Sequence, residues 1–238
     1  LSWVMLSVMG FIALVVAAYA SRAMQGDSGR KSFFMRLLLL VASMAAMACA
    51  DHMLVFLLAW AMSNALLVML IVHKSGWAAA RASGWLAARN FMVGFACVGT
   101  SFSILYAAFR EPTISGVLAR AGGEAPVSAL LLLALGALTQ SAIWPFHRWL
   151  ISSANAPTPV SALMHAGLVN GGGFLLARFA PLMAASPQLL NALFAIGMAS
   201  MLLGTLWKLM QPDIKRMLAC STMGQMGFML AQCGLGLF

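Results

Sequence analysis

The sequence predicts an all-α membrane protein with about eight transmembrane helices. Its composition and the spacing of its apolar segments carry this prediction. Of the 238 residues, 63% are hydrophobic and only 8% are charged, and the mean hydropathy is +0.94. Soluble domains contain roughly 25% charged and about 45–50% apolar residues. A water-soluble globule of this composition would have more apolar side chains than its interior holds, so the chain belongs in a lipid bilayer.

Eight apolar segments are long enough to cross a bilayer, which takes about 20 residues each. They cover about 1–20, 34–50, 53–73, 90–109, 127–146, 159–180, 188–209 and 216–238. Only Asp51 and His52 separate the second segment from the third, so these two are expected to form a tight helical hairpin. The first segment has no basic region before it, so we expect no signal peptide. The start at Leu1 indicates a piece of a longer protein.

The basic residues alternate between the two sides of this arrangement. The odd-numbered connections hold eleven Lys and Arg residues, and the even-numbered connections hold three. By the positive-inside rule, the odd connections are cytoplasmic and the N-terminus lies outside. The net charge of +9 is therefore a signal of membrane topology. No nucleic acid is expected as a partner, because the basic residues do not cluster with aromatic or polar readers.

The sequence shows no sign of catalytic chemistry in this chain. Four cysteines lie inside apolar segments without a CxxC pair, so they are expected to be small core hydrophobes. We find no metal constellation, no nucleophile–base set and no nucleotide-binding loop. We therefore expect neither a cofactor nor a metal, and no enzymatic activity of this chain by itself.

The stretch from Gln140 to Leu150 places a proline and polar residues at the end of the fifth segment. In a continuous helix, Pro145 has no N–H to donate and would clash with the carbonyl of Ser141. A kink there would leave carbonyls free beside Gln140, Ser141 and His147, and irregular backbone at depth points to a cavity or a functional site. The alternative is a helix that ends at the membrane surface with two tryptophan anchors. The spacing alone leaves both interpretations open.

The sixth segment contains a histidine within apolar sequence. Thr158 followed by Pro159 predicts a helix start, with a hydroxyl N-cap and proline in the first turn. His165 then lies about 9 Å into the helix and is the one ionisable side chain clearly inside the hydrocarbon. Intramembrane ionisable groups are costly and are functional candidates, and imidazole passes protons near neutral pH. A neutral, hydrogen-bonded core histidine is the alternative.

Three further features accompany these segments. Gly171, Gly172 and Gly173 weaken a helix, and either a hinge or close helix packing would explain them. Asp213 is expected to cap the last helix. Lys208 ends the preceding helix, and snorkelling to the cytoplasmic surface is favoured over a relay role.

Three motifs in this order resemble one family of membrane proteins. They are WPFHRWL at 144–150, APTPVSALMHA at 156–166, and DIKR with STMGQ between 213 and 225. The chain resembles, from about residue 34 to its end, the antiporter-like proton-translocating subunits. These include the NuoL-type subunits of respiratory complex I and the large Mrp sodium/proton antiporter subunits. WPFHRWL together with MHAGLVNGGGFLLARF at 164–179 is most similar to the DabB membrane subunits of DabA–DabB inorganic carbon transporters.

The resemblance implies a fold of two inverted five-helix repeats, each with a broken helix at mid-membrane. Residues 1–33 would then form a leading transmembrane helix and a cytoplasmic loop. Residues 34–180 would form the first repeat, with 127–150 as its broken helix. Residues 181–238 would be the first two helices of a truncated second repeat, so the chain is expected to be a fragment of about half a subunit.

The sequence departs from complex I-type subunits at informative positions. Those subunits carry a Trp-Glu pair where this chain has Trp60 and Ala61, a lysine where it has Gln140, and often another lysine at Gly171. The equivalent of His165 is retained. A Glu–Lys pair is central to the pumping mechanism of complex I. Its loss favours the DabB-like interpretation, with a hydrated path that uses His165 and neutral polar groups.

The resemblance implies ion-coupled transport as the function. The subunit would conduct protons or Na⁺ down their gradient in the bacterial inner membrane and drive a soluble DabA-like partner. That partner, in its family, resembles a zinc carbonic anhydrase and hydrates CO₂ to bicarbonate. The alternatives are a proton-translocating subunit of an NADH-quinone oxidoreductase or Mrp-type antiporter, and a structural scaffold without conduction. The candidate residues for the proton path are His165, Gln140, Ser141, His147 and Lys208. The candidate residues for the helix break or hinge are Pro145, Pro157, Pro159, Gly171, Gly172 and Gly173.

Overall fold

A computed structural model describes residues 1–121 and 124–238, and these residues form helices and short connections. The α-helices are α1 (Ser2–Ala23), α2 (Arg30–Cys49), α3 (Met53–Ile71), α4 (Ala78–Phe109), α5 (Ile114–Ala121), α6 (Val127–Gln140), α7 (Arg148–Ser152), α8 (Thr158–Ala166), α9 (Gly171–Arg178), α10 (Ala180–Ala184), α11 (Pro187–Leu209) and α12 (Ile214–Gly234). Two 3₁₀ turns, Ser153–Asn155 and Leu168–Asn170, connect α7 to α8 and α8 to α9. The predicted all-α fold is confirmed.

Six helical segments within the described ranges are long and apolar enough to span a membrane: α1, α2, α3, α4, the interrupted segment Thr158–Arg178, and α11. Of the other two predicted spans, α6 is shorter, with 14 residues. Helix α12 has 21 residues, but a polar stripe that includes Gln225 and Gln232 lowers its hydropathy. The predicted hairpin is present, because α2 ends at Cys49 and α3 begins at Met53.

Helix α4 differs from the predicted span of 90–109. It begins at Ala78 and contains 32 residues, which extend about 48 Å at 1.5 Å per residue. A hydrocarbon core is only about 30 Å thick, so the first turns of α4 project beyond it. Arg81 and Arg89, which the sequence had assigned to a loop, lie in these turns because the surrounding alanines favour a helix.

The predicted alternation of connections is present in the contacts at the two ends of the bundle. At one end, Asp51, Ser115 and Arg178 meet. The Asp51 carboxylate accepts hydrogen bonds from the N–H and hydroxyl of Ser115, and it lies 3.6 Å from the Arg178 guanidinium. These residues come from three even-numbered connections. At the other end, Asp27, Lys74 and Lys215, from three odd-numbered connections, line one polar cavity of about 420 Å³.

Glycines bring α11 and α12 into backbone contact. A Cβ added to Gly197 would lie 2.5 Å from the nitrogen of Ala231, and one added to Gly204 would lie 2.5 Å from the nitrogen of Gly224. Small residues of this kind allow membrane helices to approach closely and gain van der Waals contact. This hairpin docks on the rest of the bundle where the Ser200 hydroxyl accepts a hydrogen bond of 3.2 Å from the Trp144 N–H.

Candidate functional site

The first helix break follows Gln140. Helix α6 ends there, the backbone turns through Ser141–His147 with a positive φ of 52° at Ala142, and α7 begins at Arg148. The first part of the turn is buried, since Gln140 is only 4% exposed and Ser141 2% exposed, whereas Trp144 and Pro145 beyond it are exposed. The helix therefore ends in a buried turn that is followed by a tryptophan, Trp144, with 43% of its surface exposed, so the structure combines features of both interpretations. Of the two predicted tryptophan anchors, Trp149 does not lie at a surface, since its side chain is 1% exposed and packs on Phe91.

Two side chains satisfy a carbonyl near the end of α6. The carbonyl oxygen of Thr139 accepts hydrogen bonds from Asn90 Nδ2 at 2.9 Å and from Trp149 Nε1 at 3.1 Å. The last carbonyls of a helix lack intrahelical partners, and leaving them unpaired in a low-dielectric interior is costly. Trp149 therefore holds the break in place as a hydrogen-bond donor.

The second break lies between α8 and α9. Helix α8 ends at Ala166, a 3₁₀ turn covers Leu168–Asn170, and α9 begins at Gly171, so the predicted single span is interrupted. The predicted N-cap at Thr158 is wrong. Pro157 occupies the cap position with φ −54° and ψ 143°, and no side-chain hydrogen bond caps the helix. The Pro157 carbonyl already accepts from the N–H groups of Val160 and Ser161, so Thr158 is inside the first turn, next to Pro159.

The two breaks are joined by the side chains of Gln140 and Ser141. Gln140 Nε2 donates to the carbonyl of Leu168 at 3.4 Å, and the Ser141 hydroxyl donates to the carbonyl of Val169 at 2.8 Å. Both carbonyls belong to the 3₁₀ turn of the second break. The interruption of one helix therefore supplies the donors that satisfy the interruption of the other.

Asn64 completes this cluster from α3. Gln140 Nε2 also donates to Asn64 Oδ1 at 3.1 Å. The Leu168 carbonyl can only accept a hydrogen bond, so the Gln140 amide must turn its NH₂ group toward it. Asn64 must then present its oxygen to the same NH₂ group. Trp60 lies four residues before Asn64 on the same face of α3. We call Trp60, Asn64, Gln140 and Ser141 the amide cluster.

The amide cluster contains buried polar atoms without partners among the described residues. They are Trp60 Nε1, Asn64 Nδ2 and Gln140 Oε1, and the first two are donors while the third is an acceptor. The cluster is also uncharged, since the chain's five acidic residues and its lysines and arginines all lie elsewhere. Unpaired polar groups are expensive in a membrane interior. Two of them belong to the hydrogen-bonded pair Asn64 and Gln140, and Trp60 is one turn away on α3, so these residues mark a candidate functional site.

The remaining predicted path residues lie outside the amide cluster. His165 is in the last turn of α8 with a buried Nδ1 that has no partner among the described residues, and no hydrogen bond links it to Gln140. His147 precedes α7, and its ring packs 5.0 Å from that of Trp207. Lys208 follows in the last turn of α11 and is partly exposed. The structure therefore brings together Gln140 and Ser141, but neither His147 nor Lys208 joins them.

The three glycines form the first turn of α9 and are buried. A Cβ on Gly172 would overlap the carbonyl oxygen of Ala137 and the hydroxyl of Ser141, and one on Gly173 would overlap Met229. A Cβ on Gly171 would lie 3.5 Å from the Cγ of Gln140, an ordinary van der Waals contact. Of the two explanations open from sequence, close packing accounts for these contacts. In the break itself, Pro145 is exposed.

The start of α12 is tied to the α7–α8 connection. Asp213 holds the N-cap position of α12, where its carboxylate accepts from the N–H of Arg216 at 3.0 Å. Lys215 Nζ donates to the carbonyls of Ala154 and Ala156 at 3.3 and 3.0 Å. Residues after the first break are thereby linked to the last helix.

Sequence reasoning missed Asn64 and Asn90 as members of the site. The available signal was the placement of Ser63 and Asn64 in the middle of an otherwise apolar helix, three and four residues after Trp60. The contributions of Leu168 and Val169 could not be predicted, because these residues act through backbone carbonyls. A helix break that no proline marks frees these carbonyls from helical hydrogen bonds. No group of three or more metal-binding side chains lies within the described residues.

Comparison with known proteins identifies the family. The family profile described as "NADH:quinone oxidoreductase/Mrp antiporter, TM" matches residues 50–237. The chain belongs to this antiporter family. The match covers α3 to α12 and so includes both helix breaks and the amide cluster.

Several curated relatives in this family carry transport-related names. The chain is 38% identical to the "Probable inorganic carbon transporter subunit DabB1" of Halothiobacillus neapolitanus, over 100% of this chain and 44% of that protein. It is 34% identical to the "Probable inorganic carbon transporter subunit DabB" of Bacillus subtilis, over 95% of this chain and 46% of that protein. It is 32% identical to the "NAD(P)H-quinone oxidoreductase subunit 5, chloroplastic" of Lemna minor, over 99% and 33%. The chain spans less than half the length of each.

A solved structure has the same fold. The chain superposes on one subunit in the "Structure of Mrp complex from Dietzia sp. DQ12-45-1b" with a TM-score of 0.91 and 29% identity, over 99% of this chain and 26% of that subunit. The predicted antiporter-type membrane fold is therefore confirmed, and the protein is a membrane protein of this family.

Proposed function

We propose that the chain is part of a proton- or Na⁺-conducting subunit of a bacterial inner membrane, which energises inorganic carbon uptake by a soluble DabA-like zinc protein. The link between the two helix breaks through Gln140 supports conduction more than any other observation. The names of the DabB relatives support carbon uptake as the coupled process. In this proposal the chain binds no cofactor and leaves the chemistry to its partner.

The amide cluster has the groups that a hydrated path needs. Water carries protons along chains in which each group donates one hydrogen bond and accepts another. Trp60 Nε1 and Asn64 Nδ2 are free to donate, and Gln140 Oε1 is free to accept. Water bound between them would have fixed donors on one side and a fixed acceptor on the other. In this proposal His165 lies further along the same path, where its imidazole exchanges protons.

The neutral character of the cluster favours carbon uptake over respiratory pumping. In complex I-type subunits, the resemblance places a Glu–Lys pair at the positions of Ala61 and Gln140. Without these charges, the chain has no pair whose protonation states control each other. A passive path that lets ions run down their gradient requires no such control.

The test uses the full-length subunit expressed with its partner in cells that depend on bicarbonate uptake. Gln140→Leu keeps the volume of the side chain but removes its hydrogen bonds to both breaks, and we expect it to reduce bicarbonate accumulation at least tenfold. His165→Ala is expected to reduce it as well. Gln188→Leu, at an exposed glutamine in the first turn of α11, is the matched control. Undiminished uptake by both Gln140→Leu and His165→Ala, at equal amounts of protein, would favour a scaffold without conduction.

A second candidate function is proton translocation in a quinone oxidoreductase or Mrp-type antiporter. The close superposition on a subunit of an Mrp complex favours it. Vesicles that contain the full-length complex separate the two candidates. Na⁺-driven acidification without the DabA-like protein would support an antiporter, whereas bicarbonate accumulation that requires both proteins and a proton gradient would support the proposed function.

A further inference from the structure

A basic groove lies beside the first helix break, at the end of the bundle that carries the odd-numbered connections. Two adjoining cavities, of about 270 Å³ and about 450 Å³, share Leu86 and Arg148. Arg89 and Val93 of α4 line the smaller one with Phe146, and Arg216 of α12 lines the larger one. We call the two cavities together the α4–α7 groove.

The three arginines of the groove lack a counter-charge within the described residues. Arg89, Arg148 and Arg216 are exposed, and none of them is in an ion pair there. The acidic residues at this end of the bundle are committed to other contacts. Asp27 pairs with His73, and the Asp213 carboxylate caps α12 through the backbone of Arg216.

The other acidic residues are at the opposite end or in another connection. Asp51 is bound to Ser115 and Arg178, and Glu111 pairs with Arg120 at 3.0 Å. Glu124 follows α5 in an even-numbered connection. The chain contains five acidic residues in all. Within the described residues no carboxylate pairs with the three arginines, so the groove is complementary in charge to an anionic ligand.

The groove changes from polar to apolar along α4. Leu86, Arg89 and Val93 are spaced at three and four residues, so they lie on one face of the helix and point along a single line. The apolar part of this helix begins at about residue 90, so Arg89 lies at the expected edge of the hydrocarbon and Val93 lies inside it. Phe146, from the break, continues the apolar half. The larger cavity beside the arginines is polar, with Ser152 and Asn155 in its wall.

We propose that the α4–α7 groove binds one anionic phospholipid. Its phosphate lies between Arg148 and Arg216, with Arg89 beside it, and an acyl chain follows Val93 and Phe146. Guanidinium groups bind phosphate through paired hydrogen bonds, and basic pockets between membrane helices on the cytoplasmic side bind anionic headgroups. A free phosphate ion would occupy the polar half but would leave the apolar half without a partner. A lipid at this place would contact the broken-helix turn directly.

The experiment measures the lipids that stay bound to the full-length complex. Complex purified from membranes is analysed by native mass spectrometry, and we expect one retained phosphatidylglycerol or cardiolipin per subunit. Each arginine near a membrane surface contributes roughly a fivefold increase in affinity for anionic lipid. Arg148→Gln is expected to lower the affinity by about that factor, and Arg148→Gln with Arg216→Gln to lower it by about 25-fold. Arg22→Gln, an exposed arginine at the same end and outside the groove, is the matched control.

Two further arms identify the ligand. Val93→Trp fills the apolar half of the groove without a change of charge, and we expect it to reduce retention of the lipid. A site that binds only the headgroup or a free phosphate would be unaffected by this substitution. Added inorganic phosphate is expected neither to displace the lipid nor to raise the thermal stability of the complex. Absence of bound lipid from the wild-type complex, or equal retention in Arg148→Gln and Arg22→Gln, would overturn the proposal. The readout is lipid binding, so it stands apart from the outcome of the transport experiment.

Discussion

Gln140 shows how a single neutral residue changes what a membrane site can do. An amide both donates and accepts hydrogen bonds, whereas a lysine only donates. Gln140 uses its donors on Asn64 and Leu168 and keeps its oxygen free. A buried lysine at this position would need a counter-charge, and the amide cluster contains no acidic side chain. A neutral amide at this position therefore avoids a large desolvation cost.

Asp27 gives a prediction at the same scale about pH. Its carboxylate accepts a hydrogen bond of 2.7 Å from the N–H of Gly29 and lies 3.4 Å from His73 Nε2. The Gly29 hydrogen bond lowers the pKa of Asp27 below its usual 3.8, with a smaller contribution from His73, although partial burial opposes the shift. These contacts link the α1–α2 loop to the end of α3.

A lowered pKa means that the folded protein favours the charged carboxylate. Its contribution to stability is therefore complete above the usual value of 3.8 and is lost as the pH falls through the lower folded value. We expect Asp27→Asn to lower the thermal unfolding midpoint in detergent at neutral pH, and the difference from wild type to disappear in strong acid. Glu124→Gln, at an exposed carboxylate, is the control. A difference that persists unchanged in strong acid would contradict the assigned role.

At the scale of helices, α9 packs against α6 because it begins with glycines. We expect Gly172→Ala to lower stability by about 1–3 kcal/mol, the range for overpacking. The new Cβ would overlap the Ala137 carbonyl, which is backbone and has no rotamer to change. The measurement is thermal unfolding of the purified protein in detergent.

Gly10 in α1 offers a matched control for this substitution. A Cβ there would meet nothing within 4 Å, and alanine favours a helix over glycine by about 1 kcal/mol. Gly10→Ala is therefore expected to keep or raise the stability. Equal stability of Gly172→Ala and wild type would mean that the backbone of α6 moves to accommodate the methyl group, as a hinge would allow.

The helices show which parts of the fold were accessible from sequence. Apolar segments and the tight α2–α3 turn were predicted because length and hydropathy determine them locally. The break after Gln140 was accessible because Pro145 excludes a continuous helix. The break at Gly167 was not, since no proline lies there and the Leu168 carbonyl is satisfied by a side chain 28 residues away. Tertiary partners of this kind leave no local pattern.

At the scale of the whole molecule, the two ends of the bundle differ in charge. The end with even connections holds three basic residues, and two of them, Arg120 and Arg178, have acidic partners. The other end holds eleven basic residues and only Asp27 and Asp213 as acids. Such an excess resists transfer across the membrane and sets the orientation during insertion. It also leaves arginines available for anionic lipids of the inner leaflet.

This asymmetry predicts the orientation, which the accessibility of introduced cysteines tests. Gly76 lies in an odd connection and Ala185 in an even one; both are exposed, and a Cβ at Gly76 would meet nothing within 4 Å. In the full-length subunit with Cys49→Ser, which removes an exposed native thiol, Ala185→Cys should react with an impermeant maleimide in spheroplasts. Gly76→Cys should react only after lysis. The reverse pattern would place the basic end, and with it the α4–α7 groove, at the outer leaflet, where positive-inside insertion does not put eleven cations.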